Sequence, residues 1–356
     1  MTRTTLVCGA LMCAIGLAAA RPAAAQLGGL GKVLDKASKA KQQLDDLTFN
    51  DQEEQQLGSE ISAKLRDKYG VVQDKDVHKY VTLVGTVLAQ QSTRPGLKWT
   101  FIVLDTDGVN AFAAPGGFVH ITKGALALIR NESELADVLG HEISHVTLKH
   151  TLNAIQKNKL VGAAADASGR KDIKKIAEIG YAAVLENAYD RGDEMAADKS
   201  GVELADAAGY APTGLGDFLT RLSDRNKDLK DRSGLFASHP ETDARLAALK
   251  KVIAADKLTA TAQVAPRYAQ SISFKPAPIN GVSEVASAGS SSSGGKLGLS
   301  GLSSLGREKS SNQTVSSAGS RGVNPDRDAK GGPIKTLVVV TVTNAEVSAF
   351  RKGITN

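Results

Sequence analysis

Cysteine is almost absent from this chain of 356 residues. The two that exist, Cys8 and Cys13, both fall within the first 25 residues. Beyond that segment no disulfide and no cysteine nucleophile is available. Aromatic residues make up only 4% of the chain, with a single Trp99, and no run of five basic residues occurs. A net charge of +6 spread in this way describes a solvated, mildly basic surface, so nucleic acid is not an expected partner. After the N-terminal segment no apolar stretch approaches 18 residues, which argues against a later membrane-spanning helix.

The N-terminus itself reads as an export signal. Arg3 supplies the positive start, Leu6–Ala20 the short apolar region, and Ala23-Ala24-Ala25 an A-x-A cleavage site before Gln26. The expected location is therefore periplasmic or secreted. Leu11-Met12-Cys13 is a poor lipid-attachment site, because Met12 stands where a small residue is favoured. The chain then divides into a signal peptide (1–25), a polar lead-in (26–49), a main domain (50–255), a Gly/Ser-rich linker (256–333) and a short C-terminal segment (334–356). The last 101 residues carry twelve Lys/Arg against six Asp/Glu, which is the whole positive excess. Ala288–Ser320 has too few large apolar residues to offset its ordering entropy and reads as disordered. The apolar run Leu337–Val342 is consistent with one strand.

What the main domain does have is His141-Glu142-Ile143-Ser144-His145, an H-E-x-x-H pattern. Residues four apart on a helix project side by side, so both imidazoles reach one metal ion. Glu142 sits beside them, close enough to take a proton from a water at that metal. Asn131-Glu132-Ser133-Glu134 announces the helix as a capping-box variant. Leu135, Val138, Leu139, Ile143, Val146 and Leu148 cover most directions around it, which marks a buried helix whose polar residues need partners. Earlier helices are expected from Asn50 to near Tyr69 and over Asp76–Gln91. Strands are expected over Lys98–Leu104, Asn110–Ala114 and Phe118–Ile121, the last two joined by Pro115-Gly116-Gly117. Later helices are expected over about Lys171–Leu204, Gly216–Ser223 and Glu241–Ala255. The fold class is α+β: a mostly helical zincin-like peptidase domain with a small β-sheet beside the active-site helix, plus a low-complexity C-terminal tail.

A catalytic zinc needs a third protein ligand. The metzincin extension would place Gly at 148 and His at 151, whereas the chain has Leu148 and Thr151. His150 lies nine residues from His141, on the opposite face of a continuous helix, and reads as a surface residue. Glu194-Met195-Ala196-Ala197-Asp198 is the better source: Glu194 as ligand, with Asp198 one turn on to accept the N–H of a ligand imidazole. His78 and His120 match no motif.

Together, the zinc helix, the Glu194–Asp198 segment and Ser238-His239-Pro240-Glu241-Thr242 resemble the gluzincin metallopeptidases of the family that includes the HtpX, BepA, Oma and CAAX prenyl proteases. The resemblance covers about Asn50–Ala255. It implies one Zn2+ per chain bound by His141, His145 and Glu194, with Glu142 as general base. It also implies that Asn110, Ala111, Phe112 and Ala113 form an exposed edge strand that aligns an extended peptide. His239 either stabilises the oxyanion or fills the open zinc position and holds the enzyme inactive. Arg245 either serves the oxyanion or forms an interhelix salt bridge. The implied partners are polypeptides, chiefly unfolded or misassembled envelope proteins, with peripheral envelope association. The chain departs from BepA-type members in carrying a Gly/Ser-rich tail in place of a tetratricopeptide domain, and from HtpX in having no membrane helices after the signal. Two rivals stand beside this reading: a non-proteolytic, chaperone-like protein using zinc structurally, and a tether whose functional part is the tail.

Overall fold

Asn50 begins the first helix by a reciprocal cap. Its side chain accepts from Glu53 N–H, and the Glu53 carboxylate accepts from Asn50 N–H. Helix α1 then runs over Asp51–Tyr69, and Asp74 caps α2, Lys75–Ala89. A computed structural model describes residues 49–157, 172–186, 189–226, 239, 242–278 and 340–355. The signal peptide, nearly all of the lead-in and most of the Gly/Ser-rich segment lie outside the described residues.

Three short strands follow: β1 (Thr100–Leu104), β2 (Ala111–Ala114) and β3 (Phe118–Thr122). The sheet order is β1-β3-β2. β1 runs parallel to β3 with Ile102 opposite His120, and β2 runs antiparallel with Phe112 opposite His120. The Pro115–Gly117 turn between β2 and β3 places Gly116 and Gly117 at positive φ, 73° and 94°. That conformation favours glycine.

The short helix α3 (Lys123–Leu128) leads into α4 (Glu132–Thr147), capped by Asn131. Every residue of α4 from Glu132 to Val146 is buried. On one side α4 packs against the sheet and α2; on the other it meets α7 (Arg191–Ala208) and α8 (Gly214–Asn226). Between α4 and α7 lie α5 (His150–Lys157) and α6 (Ile173–Glu186).

The expected long helix over Lys171–Leu204 is therefore two helices. Asp190 accepts from Asp193 N–H and starts α7 anew. The domain also continues beyond Ala255. After α9 (Thr242–Ala255), helix α10 (Ala265–Ser271) buries Tyr268, and α11 (Asn344–Thr355) returns to pack on α2 with Val347 and Ile354 buried. Val340–Val342, the described end of the expected C-terminal strand, joins no ladder. Among the described residues no helix is long and apolar enough to cross a membrane.

Candidate metal centre

The site forms where α4 and α7 cross. A Cβ on Gly201 would lie 2.7 Å from the His141 main-chain nitrogen, and one on Gly140 would lie 2.7 Å from the Gly201 carbonyl oxygen. Two facing glycines thus let the backbones touch, and Glu194 and Asp198 on α7 reach His141 and His145 on α4. Helix α9 packs on α7 and delivers Arg245, and His239 stands just before α9.

One ligand atom from each of His141, His145, Glu194 and His239 lies within 4.8 Å of all the others, and all four residues are buried. The Nε2 atoms of His141 and His145 are 3.0 Å apart. His239 Nδ1 is 3.2 Å from His141 Nε2 and 2.8 Å from Glu194 Oε1. His145 Nε2 lies 3.4 Å from Glu194 Oε1. Two nitrogens each about 2 Å from one tetrahedral ion must be roughly 3.3 Å apart, so this spacing suits a shared metal. Asp198 Oδ1 is 2.9 Å from His141 Nδ1, though off the line of a well-aligned hydrogen bond. With the ring protons of His141 and His145 on Nδ1, their two Nε2 lone pairs would confront each other, a repulsion that a cation between them relieves.

Charge points the same way. The buried groups include three carboxylates, Glu142, Glu194 and Asp198, against one guanidinium, Arg245. With neutral imidazoles the sum is −2, which a dication cancels. Among the described residues neither Glu142 oxygen has a hydrogen-bond partner. Burial raises the Glu142 carboxyl above its ordinary range, against the pull of His239 and His141. Burial also works to raise Glu194, but His239 and His145 outweigh it and hold that carboxyl well below the usual range. Asp198 behaves alike: burial is overcome by Arg245, and its value falls to about 2. Burial pushes His145 well down. It opposes protonation of His239 too, but Glu194 and Glu142 prevail and raise that imidazole.

Arg245 donates from Nε and Nη2 to the two Asp198 oxygens at 2.8 and 2.6 Å, and its Nη1 lies 3.1 Å from Glu194 Oε2. Of the two expectations for Arg245, the interhelix salt bridge is the arrangement present.

His150 corrects an expectation. Helix α4 stops at Thr147, Lys149 adopts φ 60°, and a new helix begins at His150. That reversal buries the ring and brings His150 Nδ1 to 2.9 Å from His145 Nδ1. Tyr189, which no motif marks, stacks on the His145 ring at 4.0 Å. A second correction concerns the edge strand. β2 is an edge in topology, but Ala111, Phe112, Ala113 and Ala114 are all buried, because α1, α4 and α6 pack on the strand. The Thr122 N–H to Asn110 O bond sets the ladder phase, so Ala111 and Ala113 turn their main-chain groups away from β3. Ala111 N–H is bonded to Asn110 Oδ1, and Ala113 O accepts from Thr151 Oγ1 at 3.1 Å. His78 and His120 stand apart from the cluster. His78 bonds Val72 O, and His120 bonds Ser62 Oγ. Burial lowers them to about 4 and about 3.

The sequence profile of peptidase family M48 matches residues 75–253, from the start of α2 to the last turn of α9. The chain belongs to peptidase family M48. Among M48-type relatives it is 26% identical over 211 residues to the beta-barrel assembly-enhancing protease of Yersinia pestis, covering 56% of this chain and 43% of that protein. It is 29% identical over 211 residues to metalloprotease YcaL of Escherichia coli, covering 57% and 77%. Over 124 residues it is 29% identical to the mitochondrial metalloendopeptidase OMA1 of Arabidopsis thaliana, covering 35% and 26%. The chain thus spans less than half the length of the assembly-enhancing proteases it matches. Family membership agrees with a metal-dependent peptidase domain that is mostly helical with a small mixed sheet.

Proposed function

We propose that this chain is an exported zinc endopeptidase that hydrolyses unfolded or misassembled envelope proteins. The observation that carries the hydrolytic reading is Glu142. Its carboxylate is buried with neither oxygen hydrogen-bonded, beside a set of nitrogen and oxygen donors spaced for one ion. In this reading His141, His145 and Glu194 hold the metal, a His2Glu set that suits zinc. When bound, zinc lowers the pKa of a water and polarises a peptide carbonyl. Glu142 takes the proton of the attacking water on a carboxylate oxygen and passes it to the departing amine. Asp198 orients His141, and Arg245 keeps Asp198 ionised and Glu194 in place. The name of the assembly-enhancing relatives supports a substrate in the cell envelope, and residues 1–25 support export.

His239 is read as a restraint. Its Nδ1 stands against Glu194 and His141, where it completes four donors and closes the set. A closed four-donor site is also the mark of a structural zinc. That observation supports the chaperone-like alternative, and a buried Glu142 with no hydrogen-bond partner among the described residues weighs against it. The deciding assay is digestion of an unfolded protein such as casein by the mature chain, its His239→Ala variant and its Glu142→Gln variant, each with zinc content measured. A faster His239→Ala establishes latency. A fall on the order of 10²-fold makes His239 an oxyanion partner. No hydrolysis by the parent or by His239→Ala, with zinc retained, defeats the peptidase reading.

A further inference from the structure

A metal-bound histidine holds the ion with one ring nitrogen and needs the other nitrogen held, since that second bond fixes both tautomer and ring plane. Asp198 stands at His141 Nδ1. At His145 the corresponding place is taken by a second imidazole: His150 Nδ1, 2.9 Å from His145 Nδ1, in a residue only 5% exposed. Resting on the reading that His145 is a zinc ligand, we infer that His150 is a positioning residue, whose neutral ring accepts the His145 Nδ1 proton and orients His145 Nε2 toward the metal.

The proton count leaves one arrangement. For Nε2 of His145 to offer a lone pair to the ion, its ring proton must sit on Nδ1. The short Nδ1-to-Nδ1 contact holds one proton, so His150 Nδ1 is the acceptor. The proton of His150 is then on Nε2, which faces Asp193 Oδ1 at 3.6 Å. An imidazole also suits the local charge. Arg245 matches Asp198 behind His141, and a carboxylate behind His145 would add to the negative excess. The neutral ring orients without charge.

The same turn of helix reaches further. Tyr189 lies flat on His145, at an interplanar angle of 23°, and its hydroxyl is 2.9 Å from Thr151 Oγ1. Thr151 gives its own proton to Ala113 O, so Tyr189 is the donor to Thr151. His150 and Thr151, neighbours at the start of α5, thus tie the imidazole of His145 to the main chain of β2.

Zinc affinity, measured by competition with a chromogenic chelator, and the visible absorption of the cobalt-substituted protein test the inference without reference to activity. His150→Ala is expected to weaken zinc binding about 10–100-fold and to shift the cobalt bands. His150→Asn, whose side-chain oxygen falls near the lost Nδ1, is expected to recover most of that affinity. Nitrogen-15 spectra of histidine-labelled zinc-loaded parent protein give a reading that needs no variant. The expected pattern has His145 protonated at Nδ1 and His150 at Nε2 alone. A His150→Ala protein with parental affinity and cobalt spectrum overturns the inference. So does a zinc-loaded parent in which His150 carries a proton on Nδ1. If the parent takes up no zinc at all, this inference falls together with the metal-site reading, whereas uptake unaltered in His150→Ala removes this one alone.

Discussion

Replacing Gly201 by alanine tests whether the α4–α7 crossing sets the metal geometry. The new Cβ would lie 2.7 Å from the His141 nitrogen and 2.9 Å from both Gly140 C and His141 Cα. Ordinary contact begins at 3.4–4 Å, so the deficit is roughly 0.7–1.3 Å. Every obstructing atom is backbone of a buried helix, and no side chain can turn aside. The helices must part by about that amount, several times the ~0.2 Å within which metal–ligand distances are held. Glu194 and Asp198 move with α7, while His141 and His145 stay with α4. Overpacking of this kind costs roughly 1–3 kcal/mol, which for a domain of this size lowers Tm by about 2–12 °C. Zinc affinity is expected to fall at least about tenfold as the donors separate. Gly96→Ala is the control, because a Cβ there meets nothing within 4 Å. Calorimetry and chelator competition on both variants supply the measurement. A Gly201→Ala protein that keeps parental zinc affinity and Tm would refute the claim that contact between the two backbones holds the donors in place.

Three further expectations follow from the same geometry. Glu142→Gln should retain zinc and lose about 10²–10⁴-fold in kcat on an unfolded substrate; loss of the metal instead would make Glu142 a structural residue. His78 and His120 are buried and neutral with values near 4 and 3, below the unfolded 6.5, so the unfolded chain binds more protons between those limits. Their contribution is complete above about pH 6.5 and declines as pH falls, by roughly 2 kcal/mol each at pH 5. The double variant His78→Gln, His120→Gln should flatten that acid limb in urea titrations relative to the parent, and an unchanged pH slope would contradict the assignment. Phe350 lies 3.9 Å over the Arg267 guanidinium, and Arg267 Nη1 donates to Phe350 O. Phe350→Ala should therefore lower unfolding free energy by about 0.5–2 kcal/mol, and an unaltered urea midpoint would mean that α11 only rests on the surface.

The local parts of this protein were legible because local chemistry decides them. Asn50 and Asn131 cap their helices as their side chains dictate, and the Pro115-Gly116-Gly117 turn falls where two glycines permit positive φ. His141, His145, Glu194 and Asp198 were identifiable by type and spacing, His239 only through the family resemblance, and the fold brings them together. What escaped was long-range or depended on a single backbone angle. Lys149 at φ 60° is a non-glycine in the left-handed region, and it alone converts His150 from a surface position into the partner of His145. Part of the cover over β2 comes from α6, more than 50 residues later. The domain outlasts Ala255 because Arg267, outside any motif, reaches Glu132 at the start of α4. No periodicity within a segment reports such a pairing.

The carboxylates of α4 give the strongest separation of structure from chemistry. Four acidic side chains on this one helix are buried: Glu132, Glu134, Asp137 and Glu142. Glu132 receives Tyr80 and Tyr210 hydroxyls and the Arg267 guanidinium, joining α2, the segment just after α7, and α10 to the start of the helix. Glu134 takes Arg221 of α8 at 2.7 and 2.8 Å. Asp137 accepts the Leu215 N–H and fastens the first turn of α8. Each of these three anchors another segment and is bonded for it. Glu142 anchors nothing. Leaving a buried carboxylate unbonded costs several kcal/mol, and the neighbouring positions demonstrate that this helix can recruit partners wherever stability alone is served. An acid kept without a hydrogen-bond partner, one residue from His141 and 3.7 Å from His239 Nε2, is what the proposed general base requires.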